Sequence, residues 1–312
     1  MNFGDWTVLL CGLSLFLYGM HGMSAGLEAA AGQKLQRVLA KLTENRGKGV
    51  AVGTIITALV QSSSAVTVMV VGFVNSGMMT FRQSVGVIMG ANIGTTVTAQ
   101  MVAFDIGVAA PFIAFSGIIL VLAVKNPRIG HMGEVLAGLG ILFIGLEMMS
   151  GAMMPLRESE LFLEVITKCS DPLTGILTGA LFAALIQSSS ASVGILQALA
   201  AGGAVPFGSA VYVLFGQNIG TCVTAMLASV GTNRNAKRAM AVHLLFNVIG
   251  TAVFAVLCAV TPLTGFVKAW TPGRPALQIA NMHTLFNVAT TVLLFPFGNL
   301  LADFAERVLP DT

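Results

Sequence analysis

The chain has 312 residues, of which 9% are charged and 55% apolar. A soluble domain carries about 25% charged residues, so with a mean hydropathy of +0.87 this composition describes a chain that crosses a membrane several times. A formal charge of +3 is too small and too scattered for a nucleic-acid groove, and four cysteines without a C-x-x-C pair indicate neither a zinc site nor a disulfide framework.

Apolar stretches run at about 6–31, 49–81, 83–104, 107–124, 132–154, 173–207, 208–230, 239–260 and 276–302. No basic residue precedes Lys34, so the first stretch reads as a retained helix and not as a cleaved signal peptide. Crossing a hydrocarbon core takes roughly 20 helical residues, and most stretches fit one crossing. Two do not, 49–81 and 173–207, and each carries a polar cluster in its middle: QSSSA at Gln61–Ala65 and again at Gln187–Ala191. Both are expected to be re-entrant hairpins, with the polar tip near the membrane midplane. Irregular backbone survives at that depth only against protein or a watery cavity.

The following stretches, 83–104 and 208–230, contain GANIGTTVT (Gly90–Thr98) and GQNIGTCVT (Gly216–Thr224). Glycines around an Asn predict a broken helix that frees oxygens for a hard cation; the alternative is a packing notch of small residues. Glu147 and its counterpart His21 are candidates for proton coupling. His243 with Asn247, and His283 with Asn287, repeat H-x-x-F-N on one helical face. Interhelical hydrogen bonding is the favoured reading for them over ion contact.

A shift of 126 residues superimposes the chain on itself, with twenty of fifty-two positions identical between 53–104 and 179–230. The matches include Gln61/Gln187, all three serine pairs, Asn92/Asn218, Thr95/Thr221 and Thr98/Thr224. Basic residues alternate between equivalent connectors. The 32–48 connector holds Lys34, Arg37, Lys41, Arg46 and Lys48, whereas its counterpart holds only Arg157 and Lys168; 232–238 holds Arg234, Lys237 and Arg238, whereas the stretch near Asp105 holds none. Positive-inside then predicts two oppositely oriented units, with the N-terminus outside and the C-terminus inside. The expected fold is an all-α polytopic membrane protein of two inverted-topology repeats (1–128 and 129–261), each with a re-entrant hairpin and a broken transmembrane helix, plus a C-terminal crossing and tail (262–312).

The polar tips suit an oxyanion, since hydroxyls donate and the returning helix exposes free N–H groups. From Pro172 to Gly231 there is no charged residue, and from Gly49 to Phe104 only Arg82. Two helix N-termini offer about +0.5 each, leaving a divalent oxyanion about one charge short. Co-bound cations close that gap, which favours symport over a channel.

Paired QSSSA, the GANIGTT and GQNIGTC segments, HLLFN (His243–Asn247) and IANMHTLFN (Ile279–Asn287) resemble the type II sodium–phosphate cotransporter family over nearly the whole chain. The resemblance implies sodium-driven symport of inorganic phosphate by alternating access, in a cell membrane, with no enzymatic activity and no organic cofactor. It implies phosphate contacts from Ser62, Ser63, Ser64, Ser188, Ser189 and Ser190, to which Asn92 and Asn218 are added. It implies sodium contacts from Gln187, Ser188, Thr221 and Thr224, and by the internal repeat from Gln61, Thr95 and Thr98. Expected partners are phosphate, sodium, the lipid bilayer, a second copy of the chain and a separate phosphate-uptake regulator protein, with no nucleic acid. The alternatives are coupling to protons, another oxyanion as cargo, or an anion channel. The first unit departs from the pattern in reading IAFSG (Ile113–Gly117) where the second has H-x-x-F-N.

Overall fold

The computed structural model describes residues 3–31, 45–104, 108–153, 155 and 170–310. Among them there are fourteen helices and no strand: α1 (Phe3–Ala31), α2 (Arg46–Val60), α3 (Ser63–Asn75), α4 (Phe81–Ala103), α5 (Ala109–Ala123), α6 (Pro127–Ala152), α7 (Pro172–Ile186), α8 (Ser189–Ala201), α9 (Phe207–Gly220), α10 (Cys222–Ala228), α11 (Arg234–Val260), α12 (Leu263–Trp270), α13 (Pro275–Leu294) and α14 (Gly298–Val308). Five spans are long and apolar enough to cross a membrane, or six if the bent pair α13–α14 counts as one. Lys34, Arg37, Lys41, Asp105, Arg157 and Lys168, on which much of the orientation argument rests, lie outside the described residues.

The 126-residue repeat carries into helix boundaries. Residues 46–60 become 172–186, and 63–75 become 189–201, without a shift at either end. The caps repeat as well. Asn45 accepts from the Lys48 amide and Asp171 from the Thr174 amide, each satisfying a first-turn donor. Thr174 N–H and hydroxyl both donate to Asp171, and the backbone bond above all holds that carboxyl below its ordinary range.

Close approach of backbones sets the directions of the helices. In α2 and α4, Gly86 lies against Arg46, Gly90 against Val50 and Gly94 against Thr54, so both numbers rise together and the helices run parallel. The same register recurs in α7 and α9, with Gly216 on Ile176 and Gly220 on Ala180. Parallel packing of α2 with α4 requires two reversals between them. The first falls at Gln61–Ser62, and the second at residues 76–80, where Gly77 takes a φ of +73°.

In α1 and α6 the numbers run oppositely: Gly12 faces Gly145, Gly19 faces Gly138, and Gly26 faces His131. These helices are repeat counterparts (12 + 126 = 138; 19 + 126 = 145), and they pack antiparallel.

Three expectations are corrected. The first unit has no broken helix, because Phe81–Ala103 is continuous. Asn92 donates its amide to the Ile88 carbonyl and Thr96 its hydroxyl to the Ile93 carbonyl, so both turn back onto their own helix. Gly90 and Gly94 there form a packing notch, since a Cβ on Gly90 would collide with the Val50 carbonyl. In the second unit the interruption is the single residue Thr221, which keeps right-handed helical dihedrals of −66° and −16°. The C-terminal stretch 276–302 is likewise not one crossing. α13 ends at Leu294, Pro296 supplies no N–H to continue it, and α14 leaves at 82°.

Phe215 stacks on Phe286 at 5.0 Å, and Phe254 meets both edge-on, locking α9, α11 and α13 into the core beside the second hairpin. Across the molecule, Arg46 donates to the Phe295 carbonyl at 2.8 Å and also bonds Asn299, pinning the base of α2 to the α13–α14 corner.

Candidate functional site: the paired Gln–Ser tips

Each tip is built the same way. Gln61 ends α2 and Gln187 ends α7 in the left-handed conformation (φ 58° and 56°), and they are the only non-glycine residues with positive φ among those described. For a residue with a Cβ such a backbone costs of order 1–3 kcal/mol and persists only where the surroundings impose it. Next, Ser62 and Ser188 take extended dihedrals and cap the returning helices, accepting from Ala65 and Ala191 N–H. One serine of each motif therefore serves as a cap, while the other four open α3 and α8.

The tips meet. Ser63 Oγ lies 3.0 Å from Ser189 Oγ, so a residue touches its own repeat counterpart. Thr95 Oγ1 lies 3.1 Å from Ser189 Oγ, and the Ser190 hydroxyl donates to the Gln61 carbonyl at 3.3 Å. Ser63, Ser189 and Ser190 are buried, whereas Ser62, Ser64 and Ser188 are half-buried. The N–H groups of Ser63, Ser64, Ser189 and Ser190 make no hydrogen bond among the described residues. Four main-chain donors and the serine hydroxyls thus collect where two helix N-termini face each other.

The remaining predicted residues divide into two groups. Near the tips, the Thr224 hydroxyl donates to the Gln187 carbonyl at 3.3 Å, and Thr98 is fully buried with an unpartnered hydroxyl. Gln61 is buried and bonds the Ala58 carbonyl through its amide nitrogen, whereas Gln187 is exposed. Asn218, by contrast, belongs to a scaffold network. Its amide donates to the Leu214 carbonyl, and its oxygen faces His283 Nε2 and Asn287 Nδ2, each at 3.4 Å. Thr221 donates to the Asn218 carbonyl at 2.9 Å. Asn92 bonds its own helix, and among the described residues neither Asn forms a hydrogen bond with the tip serines.

Two residues escaped the sequence reading. Gln197, fully buried, donates to the carbonyls of Ala99 (2.9 Å) and Ala276 (3.0 Å), tying α8 to α4 and α13 two turns above Ser189. Thr57 is buried at the α2–α4 contact with no partner for its hydroxyl. Both are single polar residues inside apolar runs, and the only available signal was that neither repeats: their counterparts are Val71 and Ala183.

A cavity of about 440 Å³ lies beyond Gln197, lined by Phe104, Phe143, Glu147, Ser150, Arg274 and Ala276 among others. It contains no tip residue. Glu147, a candidate for proton coupling, lines this cavity and not the serine contact. Among the described residues, no group of three or more His, Cys, Asp or Glu could hold a metal ion.

The sequence model of the Na+/Pi-cotransporter family matches residues 15–151 and 158–296. The chain belongs to the Na+/Pi-cotransporter family. It is a multi-pass membrane protein of a family of transporters, and phosphate transport is the family's function. Each matched stretch contains one of the two QSSSA clusters. The chain is 33% identical over 296 residues to the uncharacterised protein YqeW of Bacillus subtilis, covering 95% of each. It is 31% identical over 304 residues to YjbB of Salmonella typhimurium, provisionally named an inorganic phosphate export protein. That match takes in 97% of this chain but 55% of YjbB, so the chain spans about half the length of that relative. Human sodium-dependent phosphate transport protein 2B is 35% identical over 102 residues, 32% of this chain and 15% of its own. No solved structure matches the chain.

Proposed function

We propose that this Na+/Pi-cotransporter family member is a secondary active transporter that carries inorganic phosphate together with sodium, by alternating access to the paired Gln–Ser tips. The observation that carries the reading is the 3.0 Å contact between Ser63 and Ser189 at the first residues of two facing helices. Two helix N-termini brought together repel, at about +0.5 charge each, unless negative charge lies between them. A tetrahedral oxyanion there exchanges the hydroxyl–hydroxyl bond for bonds from both serines, and takes up main-chain N–H groups that otherwise lack acceptors.

Sodium follows from the charge count. A divalent phosphate against about +1 from two helix ends leaves about one negative charge, and no charged residue lies between Pro172 and Gly231. We assign sodium to Gln187, Ser188, Thr221 and Thr224, supported by the Thr224 bond to the Gln187 carbonyl. Neutral oxygens suit a monovalent hard cation, whereas calcium takes carboxylates.

The architecture assigned to this function is a pair of inverted repeats, 1–128 and 129–261, followed by 262–312. Antiparallel packing of the counterparts α1 and α6 supports the inversion. Parallel packing of α2 with α4, and of α7 with α9, supports hairpins that enter and leave on one side of the membrane. The connector charges support an external N-terminus and an internal C-terminus. A second copy of the chain and a separate phosphate-uptake regulator are its proposed partners.

The direction of net flux follows the gradients, so a relative named for export is compatible with the same machinery. Radiolabelled phosphate flux in proteoliposomes tests the function, with sodium, potassium or proton gradients imposed in turn. Saturable phosphate accumulation driven by an inward sodium gradient, and efflux driven by an outward one, is the expected result. Flux that follows the proton gradient alone, or that never exceeds equilibration, contradicts it.

A further inference from the structure

The cavity beyond Gln197 and the serine contact are joined by the same two helices. On α4 and α8 the numbers rise together away from the tips. Thr95 meets Ser189, then the Ala99 carbonyl accepts from Gln197, and one turn further Ala103 and Ala201 both line the cavity. Ala276, the other acceptor of Gln197, lines it too. Eight residues separate Ser189 from Gln197 (197 − 189 = 8), about 12 Å of helix, and Ala201 lies roughly 6 Å beyond. The wall between is apolar, with Val193 and Leu196 buried.

The cavity differs from the tips in carrying charge. Arg274 lines it from the N-cap of α13 and Glu147 from α6, and among the described residues no other charged side chain does. Neither side chain forms an ion pair or hydrogen bond among the described residues, with the other or elsewhere. The Arg274 carbonyl accepts from the Gln278 N–H, whereas its side chain caps nothing, so the guanidinium can take a ligand. Its paired N–H donors match two oxygens of a phosphoryl group. The volume of about 440 Å³ falls within the range of small-ligand sites, roughly 300–1,000 Å³. The cavity adjoins the C-terminal ends of α4 and α6, opposite Arg82 and Arg128 at their starts, on the side that the connector charges assign to the exterior.

We infer that this cavity is a separate anion station, in which Arg274 holds a phosphoryl oxyanion on the outer side before it passes the Gln197 bridge to the tips. Arg274 supplies the fixed positive charge that the tips lack. Glu147 keeps the cavity near neutrality, so the station holds its anion loosely and gives it up. A lipid headgroup carries the same phosphoryl chemistry. Inorganic phosphate is the occupant, because the helices that wall the cavity lead to the serines. Naming the cargo as phosphate rests on the function proposed above.

Labelling of the purified full chain with phenylglyoxal, an arginine reagent, tests the station without transport and without sodium. Mass spectrometry reads the label at Arg274 and at Arg128, which is exposed at the other end of α6. Inorganic phosphate should slow labelling of Arg274 at least about threefold, as expected of a solvent-screened charge pair, and leave Arg128 unchanged. The protection should persist in Ser189→Ala, and Glu147→Gln should bring it on at lower phosphate. Labelling of Arg274 that ignores phosphate overturns the station, as does protection that disappears in Ser189→Ala. Arg274 shielded in phosphate-free lipid nanodiscs and released in detergent assigns the cavity to a lipid headgroup and equally overturns it. In proteoliposomes of one orientation, Arg274→Gln should raise the half-saturation constant for external phosphate about three- to fivefold. The maximal rate and the constant for internal phosphate should stay unchanged, and Arg274→Lys should recover part of the loss. No change, or an equal change on both faces, marks a structural role and contradicts the station. Protection of Arg274 without sodium-driven flux keeps the station and sinks the symport reading; sodium-driven flux with Arg274 unprotected does the reverse.

Discussion

At the scale of the residue, the serines of the two tips do different work. Ser62 and Ser188 accept from the amides of Ala65 and Ala191, so their replacement by Ala removes a cap as well as a hydroxyl. Ser63 and Ser189 bond each other, and Ser189 also meets Thr95. Ser189→Ala strips one hydroxyl from the proposed oxyanion position and leaves those of Ser63 and Thr95 without this partner. A lost hydrogen bond of about 1–2 kcal/mol corresponds to roughly 5–30-fold. Phosphate uptake in proteoliposomes should show a half-saturation constant raised by about that factor, with folded yield unchanged; a wild-type constant would remove Ser189 from the site. The Q-S-S-S clusters were legible in the sequence because four polar residues in a row stand out in an apolar run and occur twice. Thr57 and Gln197 were not, because a lone Thr or Gln in such a run is ordinary until its neighbours across the helix contact are known. Asn92 and Asn218 were read as ligands on the strength of the same repetition. Their amides turn back to carbonyls four residues earlier, a bond that depends on rotamer and leaves no trace in spacing.

At the scale of the element, glycine placement decides which helices touch. Gly90 and Gly216 each sit under a carbonyl of the partner helix, Val50 and Ile176 respectively. Gly216→Leu cannot be relieved by a rotamer change, because the clash begins at Cβ against backbone. It should abolish the monodisperse folded peak in size-exclusion chromatography. Gly208→Leu, at the exposed start of α9 where a Cβ meets nothing, should leave that peak intact. The same glycines explain why a predicted break became a continuous helix: composition reports that Gly90 and Gly94 are small, but smallness serves a notch as readily as an unwound turn. The α13–α14 corner was hidden for a related reason, since Pro296 lies within a stretch whose hydrophobicity continues past it. That corner is held by two arginines of unequal weight. Arg82 pairs with Asp303 and Glu306, but the three side chains are 51%, 46% and 36% exposed, and such pairs contribute about 0–1 kcal/mol. Arg46 instead reaches the backbone carbonyl of Phe295 and the side chain of Asn299. Thermal unfolding should accordingly show a smaller loss for Arg82→Gln than for Arg46→Gln; the reverse order would mean that α14, not the base of the first hairpin, is what the corner stabilises.

At the scale of the whole molecule, the offset of 126 residues was visible in the letters, and helix boundaries follow it without adjustment. The relative orientation of the halves was inferred from charged connectors, many of them outside the described residues. Packing supplies separate support, in glycines of α1 that face the counterparts of one another on α6. No periodicity could have supplied the meeting of Ser63 with Ser189, because tertiary closure joins positions that sequence leaves far apart. From that meeting follows the central claim: an uncharged pocket between two helix N-termini holds an anion only when cations accompany it. Titration calorimetry of phosphate into the purified chain, at fixed ionic strength with sodium replaced by choline, tests this most directly. Phosphate affinity should fall at least tenfold as sodium is withdrawn and return when it is restored. Phosphate binding of equal strength in choline and in sodium would contradict it.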